Sequence, residues 1–215
     1  MFKLIIKLAL YLVLAIGFSS VRAGTYEDFF KAVTFDDAAE VQGLLARGFD
    51  PNSRDEKGQT ALYLALREGS LKVAERLLAH PDLRQDLLNA AGESALMMAS
   101  LKGRLEWVKR LLARNARIEG LDALAWTALH YAATGPEPQV VQALLAHGAK
   151  VDARSPNGST PLMMASRYGA EPSVGLLLQH GADVRLKNDA ALTAADFANL
   201  AGRESLAKRL APAAP

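Results

Sequence analysis

Cysteine is absent from the 215 residues of the chain. A disulfide framework, a zinc or iron–sulfur centre held by thiolates, a cysteine nucleophile and a lipid anchor on an N-terminal cysteine are therefore excluded. Aromatic residues are also scarce, at 7%, and alanine and leucine are abundant, which suits short packed helices better than a β-sandwich. Half of the residues are hydrophobic and 22% are charged, which is typical of a globular chain rather than a disordered one.

Clustered basic charge is missing outside the first segment. Residues 1–23 hold Lys3, Lys7 and Arg22 and no acidic residue. The remaining residues contain 22 bases and 23 acids, a formal net charge of −1. Because nucleic-acid binding depends on clustered lysine and arginine side chains that neutralise phosphates, this distribution predicts that the chain binds no nucleic acid.

Residues 1–23 have the three parts of a secretory signal peptide. Lys3 and Lys7 form a basic start, residues 8–18 form an uncharged apolar run, and residues 21–23 read V-R-A, the pattern of a signal-peptidase site. The apolar run is shorter than the roughly 20 residues that a spanning helix needs. We therefore expect export with cleavage after Ala23. An uncleaved membrane anchor and a buried helix remain as alternatives.

The rest of the chain repeats with a period of 33 or 34 residues, and such self-similarity is typical of a repeat fold. In each unit an opening hydroxyl residue is followed by an alanine five positions later and then by a Leu-Leu pair. The hydroxyl favours the start of a first helix, and the leucines give a second helix one apolar face. The opening residues are Thr60, Ser94, Thr127, Thr160 and Thr193, and a first unit without the hydroxyl opens at Glu27.

This spacing predicts an all-α repeat domain over residues 24–211, between the signal peptide and an Ala/Pro tail at residues 211–215. The predicted units span residues 27–59, 60–93, 94–126, 127–159 and 160–192, with a C-terminal cap at 193–210.

Three segments carry a resemblance to a known family. Residues 160–165 read TPLMMA, residues 127–133 read TALHYAA, and residues 177–184 read LLQHGADV. These segments resemble ankyrin repeats, and the similarity covers about residues 27–210. The resemblance implies a curved solenoid of stacked helix pairs with β-turn loops projecting at one edge, and a concave face that holds another protein. The third unit departs from the pattern, since Asn115 stands where other units have a glycine.

Histidines and methionines are the candidate metal ligands. Equivalent positions in different repeats are arrayed along a stack and do not converge, so we predict that the histidines at the end of the second helix cap it: His80, His147 and His180. His130 stands at the Thr-x-x-His position, where the resemblance implies a structural hydrogen bond. The pairs Met97-Met98 and Met163-Met164 are predicted to pack in the core. We predict no catalytic residue, metal or cofactor.

Two places in each unit are expected to face the concavity, namely the residue before the opening hydroxyl and the seventh and eighth residues after it. Trp126 lies at such a place without an evident core to fill, and tryptophan, tyrosine and arginine often anchor interfaces. The alternative is that Trp126 folds back onto the irregular third turn. The predicted partner-binding residues are Gln59, Arg67, Leu101, Leu124, Trp126, Thr134, Arg167 and Tyr168.

These features predict a monomeric, non-catalytic protein-binding module in the bacterial periplasm. The chain resembles small exported ankyrin proteins of bacteria, which implies that it binds or protects a partner protein. It equally implies an immunity protein that neutralises a toxin or enzyme acting in that compartment. An enzyme or metal-binding protein with a site built across repeats and a membrane-tethered adaptor remain as alternatives.

Overall fold

A computed structural model of the chain describes residues 24–120 and 125–211. The predicted signal peptide and Leu124 lie outside the described residues. Within the described part the chain forms twelve α helices and no β strand, so the predicted all-α class is confirmed. None of these helices is long and apolar enough to cross a membrane.

The helices alternate between an inner and an outer layer. The inner helices are α1 (residues 24–34), α3 (Ala61–Glu68), α5 (Ala95–Leu101), α7 (Ala128–Thr134), α9 (Pro161–Tyr168) and α11 (Ala194–Leu200). The outer helices are α2 (Ala38–Ala46), α4 (Leu71–Leu78), α6 (Leu105–Ala113), α8 (Pro138–Ala146), α10 (Glu171–Gln179) and α12 (Glu204–Leu210). From α3 to α9, each inner helix packs against its outer partner and the next inner helix, which is the nearest-neighbour architecture of a solenoid.

The opening hydroxyl residues cap five inner helices as predicted. Each side chain accepts a hydrogen bond from the backbone N–H three residues later, which satisfies a donor that the first turn leaves free. The alanine five positions after each opening residue is completely buried, which allows adjacent inner helices to approach closely: Ala65, Ala99, Ala132, Ala165 and Ala198.

Four units end in a turn of the same design, at residues 55–59, 89–93, 155–159 and 188–192. The first residue donates its N–H to the carbonyl of the fifth and accepts the N–H of the fourth. The side chain of the first residue also accepts the N–H of the fifth. The fourth residue has a positive φ, which glycine adopts most easily; it is Gly158 (φ 71°) in one turn and Ala191 (φ 60°) in the last.

Two of the three histidines predicted to cap outer helices do so. The Nδ1 atoms of His147 and His180 each lie 2.8 Å from the carbonyl oxygen four residues earlier. The prediction is wrong for His80, whose Nδ1 accepts the N–H of Asp82 at 3.2 Å. The reason is local, because Pro81 follows His80 where the other two units have a glycine and so redirects the chain.

Arg203 fastens the C-terminal cap to the preceding unit. Its Nη1 donates to the carbonyl oxygens of Ala165, Ser166 and Gly169 at 3.0, 3.0 and 3.1 Å. These carbonyls belong to the end of α9, where helical partners run out. We expect Arg203→Met to lower the free energy of unfolding by about 2 kcal/mol, since charge-assisted hydrogen bonds of half-buried groups are lost.

Urea unfolding monitored by circular dichroism measures this change. The matched control is Arg209→Met, which removes an exposed ion pair with Glu171 and should cost at most about 0.5 kcal/mol. Equal effects of the two substitutions would contradict the role assigned to Arg203.

Candidate protein-binding site

The turns and the inner helices together form one surface, which we call the inner face. It receives the residue before each opening hydroxyl and the fourth and seventh residues after it. Contacts between these positions show that they share a surface, since Glu93 accepts the Tyr131 hydroxyl at 2.8 Å and Gln59 accepts the Arg67 guanidinium at 2.8 Å. The inner face is the part of the structure that corresponds to the predicted concave surface.

An apolar pocket of about 200 Å³ opens on the inner face at the third, fourth and fifth units. For scale, an apolar cavity of roughly 150 Å³ holds a benzene molecule, so the pocket has room for one aromatic or large aliphatic side chain. Filling it would remove apolar wall from water, which is favourable. The lining residues are Leu101, Trp126, His130, Tyr131, Thr134 and Met164.

Trp126 packs against the first helix of the following unit and also forms a wall of this pocket. Its ring meets the rings of His130 and Tyr131 edge-on, with centroids 5.2 and 6.3 Å away. The side chain is only half-buried. The described ring contacts of Trp126 are with α7, and its exposed part lines the pocket, so both contact with a partner and packing on the third turn stay predictions.

Glu93 joins the second and fourth units through its carboxylate. Oε2 accepts the Tyr63 hydroxyl at 2.6 Å and the Asn89 amide at 2.8 Å, and Oε1 accepts the Tyr131 hydroxyl. Burial opposes ionisation, but these hydrogen bonds and the nearby Arg67 charge lower the pKa of Glu93. Burial and the Glu93 carboxylate raise the pKa of both tyrosines. At neutral pH, Glu93 is thus an anion whose oxygens are occupied by donors of the protein itself.

His130 is a fully buried scaffold residue at the base of the pocket. Its Nδ1 lies 3.2 Å from the Thr127 amide nitrogen, and its Nε2 lies 3.0 Å from the Ser159 carbonyl oxygen. These contacts fit the neutral tautomer with the proton on Nε2, and they confirm the predicted structural hydrogen bonding. Burial lowers the pKa of His130 to about 4. In the described part of the chain, no group of three or more histidine, aspartate or glutamate side chains is arranged to hold a metal ion.

The predicted partner-binding residues fall into three groups. Leu101, Trp126 and Thr134 line the pocket. Gln59 and Arg67 bond to each other in the second unit. Arg167 and Tyr168 lie at the end of α9, the helix that supplies Met164 to the pocket, with the guanidinium 5.1 Å from the Tyr168 ring centroid. Whether any of them contacts a partner stays a prediction.

Sequence reasoning missed two of the pocket residues. Met164 was expected to pack in the core; it does pack against the core, but as a half-buried side chain that also lines the pocket. Tyr131 was not considered. Both occupy the fourth position after the opening hydroxyl, one helical turn from the seventh position that was predicted to face a partner. Extending the same periodicity by one turn is the signal that identifies them.

Known proteins match the chain through its repeats. A family model described as "Ankyrin repeats (3 copies)" matches residues 29–122 and 117–188. The chain is 37% identical over 95 residues to glycerophosphocholine phosphodiesterase gde1 of Schizosaccharomyces pombe, covering 43% of this chain and 8% of that protein. It is 33% identical over 75 residues to mouse protein phosphatase 1 regulatory subunit 27, covering 35% and 49%. The chain thus spans less than two thirds of the length of these relatives.

A solved structure resembles nearly the whole described fold. It is a chain of the complex titled "Bd0816 Predatory Endopeptidase from Bdellovibrio bacteriovorus in complex with immunity protein Bd3460". The TM-score is 0.72 at 28% sequence identity, and the match covers 85% of this chain and 96% of that chain.

Proposed function

This chain belongs to the ankyrin-repeat family, and from that premise we propose that it is an exported inhibitor that binds an enzyme through its inner face. Repeats of this family form protein–protein interaction modules. The observation that carries the proposal is the open apolar pocket walled by Leu101 and Trp126, because a desolvated pocket near the centre of a surface is where binding energy concentrates. The likeness to a chain of an endopeptidase–immunity protein complex supports an enzyme as the class of partner.

The proposed location is the bacterial periplasm, and it rests on residues 1–23. Their basic start, apolar run and V-R-A end form the pattern of a cleaved signal. Cell fractionation followed by N-terminal sequencing tests this directly. We expect the protein in the periplasmic fraction with Gly24 as its first residue. Recovery in the cytoplasm with residues 1–23 intact would overturn this part of the proposal.

Capture of the partner from native cells tests the proposed binding. The full chain is expressed with a C-terminal affinity tag as wild type, Thr134→Arg and Gln142→Arg. Arginine occupies the position equivalent to Thr134 in the second and fifth units, so Thr134→Arg is compatible with the fold while it obstructs the pocket. Gln142→Arg makes the same charge change on the exposed outer surface of α8. We expect Thr134→Arg to reduce recovery of the partner at least about tenfold and Gln142→Arg to leave it unchanged.

An activity measurement on the captured enzyme tests the inhibition. Adding wild-type protein at equal molar amounts should abolish most of the enzyme's activity, and Thr134→Arg should fail to do so. Unchanged activity would replace inhibition by a scaffolding or protecting role. Equal recovery by Thr134→Arg and wild type would show that the pocket is not the binding site.

A further inference from the structure

We infer that the partner docks on the C-terminal half of the inner face, from the third unit to the cap, and presents an apolar side chain next to acidic side chains. This inference rests on the proposed function, because it names the chemistry of the partner at the same surface. It depends on a difference between the two halves of the inner face.

The N-terminal half is saturated by its own contacts. The Arg67 guanidinium bonds to Gln59 and to the Glu68 carboxylate, at 2.8 and 2.6 Å. Both oxygens of Glu93 accept hydrogen bonds from tyrosine and asparagine side chains. A partner that docks here would displace these bonds and would have to replace each of them, so docking on this half gains little.

The C-terminal half presents unpaired cations. Within residues 24–120 and 125–211, the ion pairs leave both Lys102 and Arg167 without a carboxylate partner. Arg167 lies over the ring of Tyr168, which holds the guanidinium in place without neutralising it. These cations attract an acidic partner and repel a basic one.

The same half also presents exposed apolar surface. Tyr168 at the end of α9 and Leu200 at the end of α11 are 58% and 57% exposed, and the third exposed large hydrophobic side chain of the described part, Phe35, lies near the N-terminal end. The pocket residue Met164 lies on the same helix as Tyr168, one turn earlier. Exposed apolar side chains that follow the pocket toward the cap favour a docking surface on this half.

The order of residues along the stack sets the pattern of the ligand. Leu101, Thr134 and Arg167 occupy the same repeat position in consecutive units, so Arg167 lies one inner helix beyond Thr134, on α9, which also supplies Met164 to the pocket. Packed helices are about 10 Å apart, and an extended peptide advances about 3.3 Å per residue. An acidic residue about three positions from the apolar residue would therefore reach Arg167. Lys102, which follows the pocket residue Leu101 in the sequence, provides a second cation without an ion pair among the described residues.

Selection from a library of random peptides displayed on phage tests this chemistry with the full chain. We expect the enriched peptides to combine an aromatic or large aliphatic residue with aspartate or glutamate about three positions away. Fluorescence anisotropy then measures the affinity of one enriched peptide for wild type, Arg167→Glu and Lys72→Glu. Lys72 is an exposed lysine on outer helix α4, so Lys72→Glu makes a comparable charge reversal away from the inner face.

Arg167→Glu should weaken the peptide at least about tenfold and Lys72→Glu should leave its affinity unchanged. Added salt should weaken the affinity of the peptide for wild type, and it should weaken the affinity for Arg167→Glu less. Exchanging the acidic residues of the peptide for lysine should restore binding to Arg167→Glu, which a merely unfolded variant cannot show. Enriched peptides that are basic or uncharged, no enrichment, or equal affinity for Arg167→Glu and wild type would overturn the inference.

Failure of this inference is distinguishable from failure of the proposed function. If Arg167→Glu captures and inhibits the native enzyme as wild type does, the partner chemistry is wrong and inhibition stands. If acidic apolar peptides bind as expected but the protein leaves the captured enzyme active, inhibition is wrong and the partner chemistry stands.

Discussion

Replacing Gly169 by alanine is expected to lower the free energy of unfolding by about 3 kcal/mol. Gly169 ends α9 with φ −83° and ψ 170°, a conformation that any residue adopts, so the cost arises from space alone. A Cβ atom at this position would lie far inside van der Waals contact of the Ala133 carbonyl oxygen and 2.9 Å from the Ala165 Cα. Both are backbone atoms, which cannot rotate away, so the fourth and fifth units would have to separate.

Urea unfolding of Gly169→Ala and Gly175→Ala measures this effect against a matched control. A Cβ atom at Gly175, in the middle of α10, would meet nothing within 4 Å. Alanine favours a helix interior over glycine by up to about 1 kcal/mol, so Gly175→Ala should stabilise the protein. Glycine-to-alanine substitution should therefore lower the free energy of unfolding at one position and raise it at another, six residues away in the sequence. Wild-type stability of Gly169→Ala would show that the units do not pack as closely as described.

Replacing His130 by methionine is expected to remove a large pH dependence of stability. Burial holds the pKa of His130 at about 4 in the folded protein, whereas an unfolded histidine has a pKa of about 6.5. As the pH falls below 6.5, the unfolded chain binds a proton that the folded chain does not, so the folded state loses stability relative to it. The loss continues to about pH 4 and amounts to about 3 kcal/mol in total, of which about 2 kcal/mol is lost by pH 5.

Methionine is the matched replacement because the third and fifth units already have it at this position. The Ser94 and Thr160 amides donate to the Met97 and Met163 sulfurs at 3.3 and 3.4 Å, as the Thr127 amide donates to His130. We therefore expect His130→Met to fold, with a stability near that of wild type at pH 7.5.

The measurement is urea unfolding of both proteins at pH 7.5 and pH 5. The Glu93 carboxylate leaves the free energy of unfolding unchanged over this pH range. Its pKa is lowered in the folded protein, so its stabilising effect is lost only at pH values below the unfolded pKa of about 4.3. The free energy of unfolding should fall between pH 7.5 and pH 5 by about 2 kcal/mol more in wild type than in His130→Met. Equal pH dependence in the two proteins would contradict the assigned burial of a neutral His130.

Local and periodic features of the fold were predicted correctly from the sequence. Thr60 and Thr160 cap their helices, and Ala165 is buried, because a capping bond spans three residues and the repeat presents the same environment in every unit. His80 was mispredicted when the repeat argument was applied to a unit whose next residue is Pro81. The periodicity was correct there, and the exception was encoded in the neighbouring residue.

The candidate site was predicted only in outline. Trp126, Leu101 and Thr134 were identified as possible partner contacts and do line one pocket, because their repeat positions face the same side of the stack. Met164 was assigned to the core from its position on an inner helix, and the structure does bury that position well in the second and third units, at Leu64 and Met98. Its partial exposure in the fifth unit reflects the side chains that adjacent units supply, and no periodic pattern contains that information.

By itself the sequence determined the repeat length, the helix pairs, the caps and the ankyrin family, because each follows from contacts within a unit or between units of the same pattern. Only the tertiary structure decided which half of the inner face is open. Glu93 accepts hydrogen bonds from Tyr63 and Tyr131, which lie 30 and 38 residues away, whereas Arg167 lies over the ring of Tyr168 and has no carboxylate partner among the described residues. Charge pairing and exposure depend on side chains that stacking brings together from different units. The identities of these side chains differ from unit to unit although the repeat pattern stays the same.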